Sequence, residues 1–337
     1  MTGTAQLALA AVAIAVASLH AAAAPGSLHR YEASRMSMAC LYAIEAYGPA
    51  AGRLPLVLDK AFDEVDRIDR LMSHYKSESP LSQLNREAGR HEVAVDAELY
   101  DFIAEAMRYY RESGGAFDIT VGPLMKAWGF FRGDGRVPSD ESLATVLRHV
   151  GGSHVRLNPS ARTIVFDEPG VELDLGGIAK GYAVDRVAAL LRQEGIVAAL
   201  ISAGGSSVYG LGAPPGRESW DVQIQDPIEG TKIASTVTLK NRALSVAGSS
   251  EKSFEKDGVT YSHIMDPRLG RPVQGILSVA VLTDSATAGD ALDDAFFVLG
   301  PEGSRTYLKR LLRTEVFFFL PAPDRGWTLV TARGPAK

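Results

Sequence analysis

The stretch Val171-Glu172-Leu173-Asp174-Leu175-Gly176-Gly177-Ile178-Ala179-Lys180-Gly181-Tyr182 decides the fold class. Apolar residues at 171, 173 and 175 alternate with acidic ones, which reads as a strand. The glycine pair turns the chain into a helix over about 182–193, and the run at 197–201 reads as a buried strand. Upstream, β-branched runs at 155–157 and 163–166 are separated by turns at Asn158-Pro159 and Glu168-Pro169-Gly170. Further back the period is helical: Leu58, Phe62, Val65, Ile68 and Met72 form one stripe. Asp96 caps a second helix that Gly114-Gly115 stops, and a third starts at Ser139 and ends before Gly151-Gly152. Downstream, strands are expected at 220–225, 235–240, 277–282, 316–320 and 328–332, with a helix over 287–299 closed by Gly300. Helices mixed with antiparallel-looking hairpins, without internal repeats, predict an α+β fold.

Composition narrows the function. The chain has 337 residues, 46% of them hydrophobic and 22% charged, enough to bury a large core. With 35 Lys and Arg against 40 Asp and Glu and no long basic run, it lacks the charge that binds nucleic acid through phosphates. A single cysteine, Cys40, excludes a disulfide framework, and the seven histidines show no pair at zinc-ligand spacing. The first 24 residues carry no charged side chain, and the apolar run 7–17 is too short to span a bilayer but suits a signal-peptide core. Small residues at 21–24 before Pro25 offer a cleavage site. The expected organisation is therefore a signal peptide over 1–24 and a domain over 25–337, of one body or two subdomains, placed in the periplasm or otherwise exported.

Four segments carry more polar chemistry than packing needs. In 114–123, glycines bracket Phe117 and Asp118, a pair that could hold a planar ring and read its edge; the same residues suit a helix terminator followed by a strand. In 172–182, two glycines and Lys180 at a helix start would admit a phosphate, although the spacing is not that of a Walker loop. In 261–272, His263 lies near Asp266, Arg268 and Arg271 in what is otherwise a hairpin. In 284–300, Asp290 and Asp294 stand at i and i+4 with Asp293 beside them. Carboxylates so spaced repel unless a cation lies between them, and all-oxygen ligands favour Mg²⁺; a solvated acidic helix start is the alternative.

Taken in order, these segments resemble the ApbE family of FAD:protein FMN transferases. The motifs are Ala116-Phe117-Asp118, the run from Asp174 to Ala183, the run from Ser262 to Arg268, and Asp290-Ala291-Leu292. Ser73-His74-Tyr75, Ser82-Gln83-Leu84-Asn85, Gly204-Gly205 and Asp226-Pro227 support them, and the likeness covers nearly the whole chain beyond the leader. It implies an α+β flavin transferase fold with FAD in a central cleft. It also implies transfer of the FMN half of FAD to a threonine hydroxyl of an acceptor flavoprotein, with release of AMP. The acceptor would be an exported or membrane-associated redox protein. By the same resemblance, Met38, Tyr75, Ala116, Phe117, Asp118, Asp174, Lys180 and Ile264 would contact FAD. Mg²⁺ would be held by the carbonyl of Gly177 and the side chains of Asp290 and Asp294. An attacking hydroxyl needs a base, for which Asp174 and His263 are the candidates. The chain departs from the family pattern at Met38-Ala39-Cys40, Ser206, Val246-Ala247 and Asp294, the last standing where a threonine is usual. Those departures leave two alternatives beside transfer: an FAD pyrophosphatase giving FMN and AMP, or an FAD-binding protein without catalysis.

Overall fold

A computed structural model describes residues 28–336 apart from Arg132 and Arg325; the leader expected over 1–24 lies outside the described residues. Its centre is an eight-stranded sheet in which spatial order follows chain order and every neighbouring pair is antiparallel. The strands are β1 (His29–Ser37), β2 (Cys40–Gly48), β3 (Ala198–Ala203), β4 (Ser207–Leu211), β5 (Arg242–Gly248), β6 (Ser278–Thr283), β7 (Glu315–Pro321) and β8 (Trp327–Arg333). The α+β expectation is met.

Six helices lie between β2 and β3: α1 (Leu54–Met72), α2 (Pro80–Glu87), α3 (Ala97–Glu112), α4 (Gly122–Ala127), α5 (Asp140–Leu147) and α6 (Ala179–Gln193). Between β6 and β7 runs α7 (Ala286–Leu308), which breaks at Gly300, where φ is 66° and ψ 178°, and resumes at Pro301. The break falls where the sequence placed the helix end, because that backbone conformation is open to glycine and Pro301 cannot continue the ladder.

Burial on both faces explains why central strands read as unbroken apolar runs. In β6, Val279 and Val281 point into the helical layer, whereas Ala280 and Leu282 pack with Trp220, Ile224, Val237 and Leu239 of a hairpin on the opposite face. A third, smaller core of Leu124, Trp128, Leu143 and Met265 ties α4 and α5 to the 253–272 segment, with Trp128 Nε1 donating to the Gly270 carbonyl at 2.9 Å.

Two local readings are corrected. Residues 171–175 form no strand. Their backbone is extended but satisfied otherwise: Leu173 exchanges both its amide and its carbonyl with the side chain of Asn85, and the Asp174 amide donates to Ile119 O at 2.7 Å. A side-chain clamp thus replaces a neighbouring strand. The segment 114–123 likewise gives no strand; after the turn it enters α4. Strands β1, β2, β4 and β5 were not anticipated at all.

Candidate active site

A cleft of about 500 Å³ opens between the helical layer and the strand ends, and every residue that the resemblance assigns to FAD, to the metal or to the base borders it: Met38, Tyr75, Ala116, Phe117, Asp118, Asp174, Gly177, Lys180, His263, Ile264, Asp290 and Asp294. A cavity of this size is in the range that takes a cofactor-sized ligand. Its walls come from stretches spread between Met38 and Val298. Met38 comes from the β1–β2 turn, where Met38 and Ala39 both have positive φ (48° and 59°), and its Sδ accepts from Tyr42 Oη at 3.1 Å.

At the floor, Asp290 on α7 is buried and hydrogen-bonded at both oxygens. Its Oδ2 accepts from the Gly181 amide at 2.6 Å, and its Oδ1 from the hydroxyls of Ser207 and Ser245. Ser245 Oγ also lies 2.7 Å from Asp293 Oδ2. One hydroxyl has one proton to give, so the second carboxylate contact requires a proton on an acid. Asp293 is that acid: burial, then Asp294 and Asp290 beside it, push its carboxyl well above the usual range. The acidic patch is therefore not a solvated helix start.

Asp294 faces the cleft, and burial together with Asp290 pushes its carboxyl up to about 7. Its Oδ2 sits so close to Gly177 that a β-carbon there would lie 2.4 Å away. Glycine at 177 leaves the carboxylate where it stands; a larger residue would require Asp294 to move. The repulsion between Asp290 and Asp294, with a glycine carbonyl at hand, suits a hard divalent cation. Among the described residues, no three His, Cys, Asp or Glu side chains converge on one point, so such an ion would take further oxygens from the ligand or water. Lys180 stands opposite, its Nζ 2.5 Å from Ser206 Oγ. Burial alone would lower its pKa, but Asp290 and Glu251 outweigh it and hold the ammonium charged.

The remaining candidates divide. His263 has Nδ1 3.3 Å from the Lys252 carbonyl, and burial pushes its pKa down to about 4, so it is a neutral imidazole at neutral pH. The polar cluster read around it does not converge: Asp266 pairs with Arg268, and Arg271 reaches Asp140 on the surface. Asp118 is structural in large part. Its Oδ1 accepts from the amide and hydroxyl of Thr120 and its Oδ2 from the Gly152 amide, leaving little to read a ligand's edge. Asp226 holds a remote turn and Trp327. Asp174 Oδ1 accepts from the Gly176 amide at 2.8 Å and lies 3.2 Å from His74 Nδ1.

Sequence reading quoted His74 only within a supporting motif and missed Ser245, Glu251 and Lys252 altogether; all four line the cleft. The hydroxyl of Ser245 precedes the apolar pair at 246–247 by one position, and only the pairing of β5 with β4 and β6 shows that it faces the acids.

Fold and cleft together define an α+β protein whose cleft sets a cation-ready pair of carboxylates and a lysine beside room for a nucleotide-sized ligand. Comparison narrows the class. The sequence profile of the ApbE family matches residues 38–318, and the chain belongs to that family. An FAD:protein FMN transferase of Treponema pallidum (strain Nichols) is 30% identical over 311 residues, 87% of this chain and 85% of that protein. One of Escherichia coli (strain K12) is 32% identical over 273 residues, 78% of this chain and 76% of that protein. Among solved structures, the ApbE protein of Thermotoga maritima superposes with a TM-score of 0.80 at 28% identity, covering 91% of this chain and 97% of its own. The flavin transferase ApbE of Vibrio cholerae gives 0.78 at 27% identity, covering 90% and 97%.

Proposed function

We propose that this protein is an FAD:protein FMN transferase that moves the FMN half of FAD onto a threonine hydroxyl of an acceptor flavoprotein and releases AMP. The observation that carries the reading is the meeting of Asp290, Asp294, Gly177 and Lys180 at the floor of a cleft otherwise lined by Met38, Tyr75, Phe117 and Ile264. A pyrophosphate needs positive charge and the flavin needs an apolar wall, and the two halves of the cleft offer these separately.

Mg²⁺ bound by Asp290, Asp294 and the Gly177 carbonyl would offset the charge of the two phosphates. Lys180 adds a cation held in place by Ser206. In the transfer, the threonine oxygen bonds to the FMN phosphorus while the bond from that phosphorus to the bridging oxygen breaks, and AMP departs with that oxygen. The hydroxyl proton must leave. His263 is our base: its Nδ1 is directed at the Lys252 carbonyl, which leaves Nε2 with a lone pair. Asp174, already engaged at Oδ1, is given a binding role.

A second reading, hydrolysis of FAD to FMN and AMP, rests on Asp294, which adds a carboxylate where transfer has use for a neutral ligand. One assay separates them: incubation with FAD, Mg²⁺ and an acceptor domain, with acceptor mass and AMP read together. Equal gains of FMN on protein and AMP in solution are expected. AMP without labelling would favour hydrolysis, and bound FAD with neither product would leave a carrier. Asp290→Ala is expected to lower Mg²⁺-dependent turnover by about 100-fold or more; unchanged turnover would refute the metal site. We place the reaction outside the cytoplasm on the strength of the apolar run at 7–17.

A further inference from the structure

His74 and Asp174 form a contact that the transfer scheme above does not use. The two side chains are 10% and 8% exposed, and Nδ1 stands 3.2 Å from Oδ1. His74 Nε2 is buried and has no hydrogen-bond partner among the described residues, and the ring lies against Tyr75, with centroids 3.9 Å apart and planes tilted by 39°. An orphaned nitrogen is cheaper as a lone pair than as an N–H, and the carboxylate calls for a donor at Nδ1; both choose the tautomer with its proton on Nδ1. Burial lowers the pKa of the imidazole against the pull of Asp174, with Lys126, Glu172 and Lys252 also acting on it, so the ring carries that one proton.

Both partners are held by α2. Ser79 and Ser82, at its start, donate their hydroxyls to the Ser73 carbonyl next to His74. Asn85, one turn on, clamps the amide and carbonyl of Leu173 next to Asp174. One short helix thus sets the spacing of the pair. Oδ1 accepts from the Gly176 amide with His74 Nδ1 3.2 Å away, Oδ2 makes no hydrogen bond among the described residues, and Asp174 borders the cleft.

We propose that His74 is a positioning residue: its ring, with Nδ1 3.2 Å from Oδ1, holds Asp174 so that Oδ2 points into the cleft as the acceptor for a hydroxyl or N–H of the bound flavin nucleotide. This rests on the reading that FAD is the ligand. The test is the FAD dissociation constant, by flavin fluorescence with Mg²⁺ present, for wild type, His74→Ala, His74→Asn, Asp174→Ala and the double alanine variant. His74→Ala is expected to weaken binding about tenfold. His74→Asn, whose amide nitrogen falls near the place of Nδ1, should stay within about threefold of wild type. The double variant should bind no more weakly than Asp174→Ala alone, since the histidine acts only through the aspartate. A His74→Ala affinity equal to wild type, additive losses, or an asparagine variant as weak as alanine would overturn the inference. If His74→Ala fails to fold, His74→Phe fills the space without a donor and carries the same expectation. Wild-type protein that binds no FAD would overturn the functional reading and this inference together, whereas intact wild-type binding with an indifferent His74 overturns this inference alone.

Discussion

At the residue scale the cleft is a set of ionisable groups held away from their ordinary protonation. His263 gives the most direct test. Its pKa is about 4 in the fold against 6.5 for a free imidazole, so the unfolded chain binds a proton over a range in which the folded chain does not. The contribution of the neutral ring to stability is therefore complete above about pH 6.5 and lost as pH falls towards 4. Replacing His263 with Gln should flatten stability against pH across that window in denaturant titrations; an unchanged slope would place the imidazole in solvent. His263, Lys180 and the aspartates of α7 were legible in the sequence because their neighbours along the chain form recognisable runs. Ser245 was not, and of His74 the motif showed the residue but not its role. Ser245 meets Asp290 across 45 positions, and His74 reaches a residue 100 positions on, so their roles come from tertiary contacts that no local pattern carries.

At the element scale most helices were readable, whereas α2, α4 and half the sheet were not. Stripes such as Leu58, Phe62 and Val65 repeat over several turns, and capping residues such as Asp96 and Ser139 mark their starts in both sequence and structure. Strand β1, by contrast, is an edge whose exposed positions include Arg30, Glu32 and Ser34, and little of it is apolar. Such charges guard an edge against pairing with other chains and hide it from a hydrophobic pattern. The turn that follows is costly, because Met38 and Ala39 are both left-handed without being glycine. Ala39→Gly should relieve about 1–2 kcal/mol of strain and return about 0.5–1 through unfolded-chain entropy, for a small net gain in denaturation midpoint. The crossing of α6 and α7 is tighter still. A β-carbon at Gly181 would lie 2.1 Å from the Ala286 carbonyl, so Gly181→Ala should force the helices apart and cost about 1–3 kcal/mol, visible as a lower Tm. Because the Gly181 amide also holds Asp290, Mg²⁺-dependent turnover should fall with it.

At the scale of the whole molecule, one core joins sheet and helices, and residues far from the cleft bear on its integrity. Phe318 on β7 is fully buried against Phe296 of α7, the helix that carries the aspartates. Phe318→Ala should cost about 3–5 kcal/mol, and FAD with Mg²⁺ should recover part of that loss. Ligand at 100 times its dissociation constant adds about 2.7 kcal/mol, which thermal melts with and without FAD would register as a rise in Tm. The sheet's plain order has a spatial outcome as well. Strand β1 begins at His29 and ends at the turn that enters the cleft, so its nine residues, at about 3.3 Å each, separate its start from the cleft by roughly 30 Å. A tether joined ahead of β1 would fasten the protein by the end remote from its opening. Immobilised on a surface that way, the molecule would present its mouth outward, within reach of a partner as bulky as a folded protein.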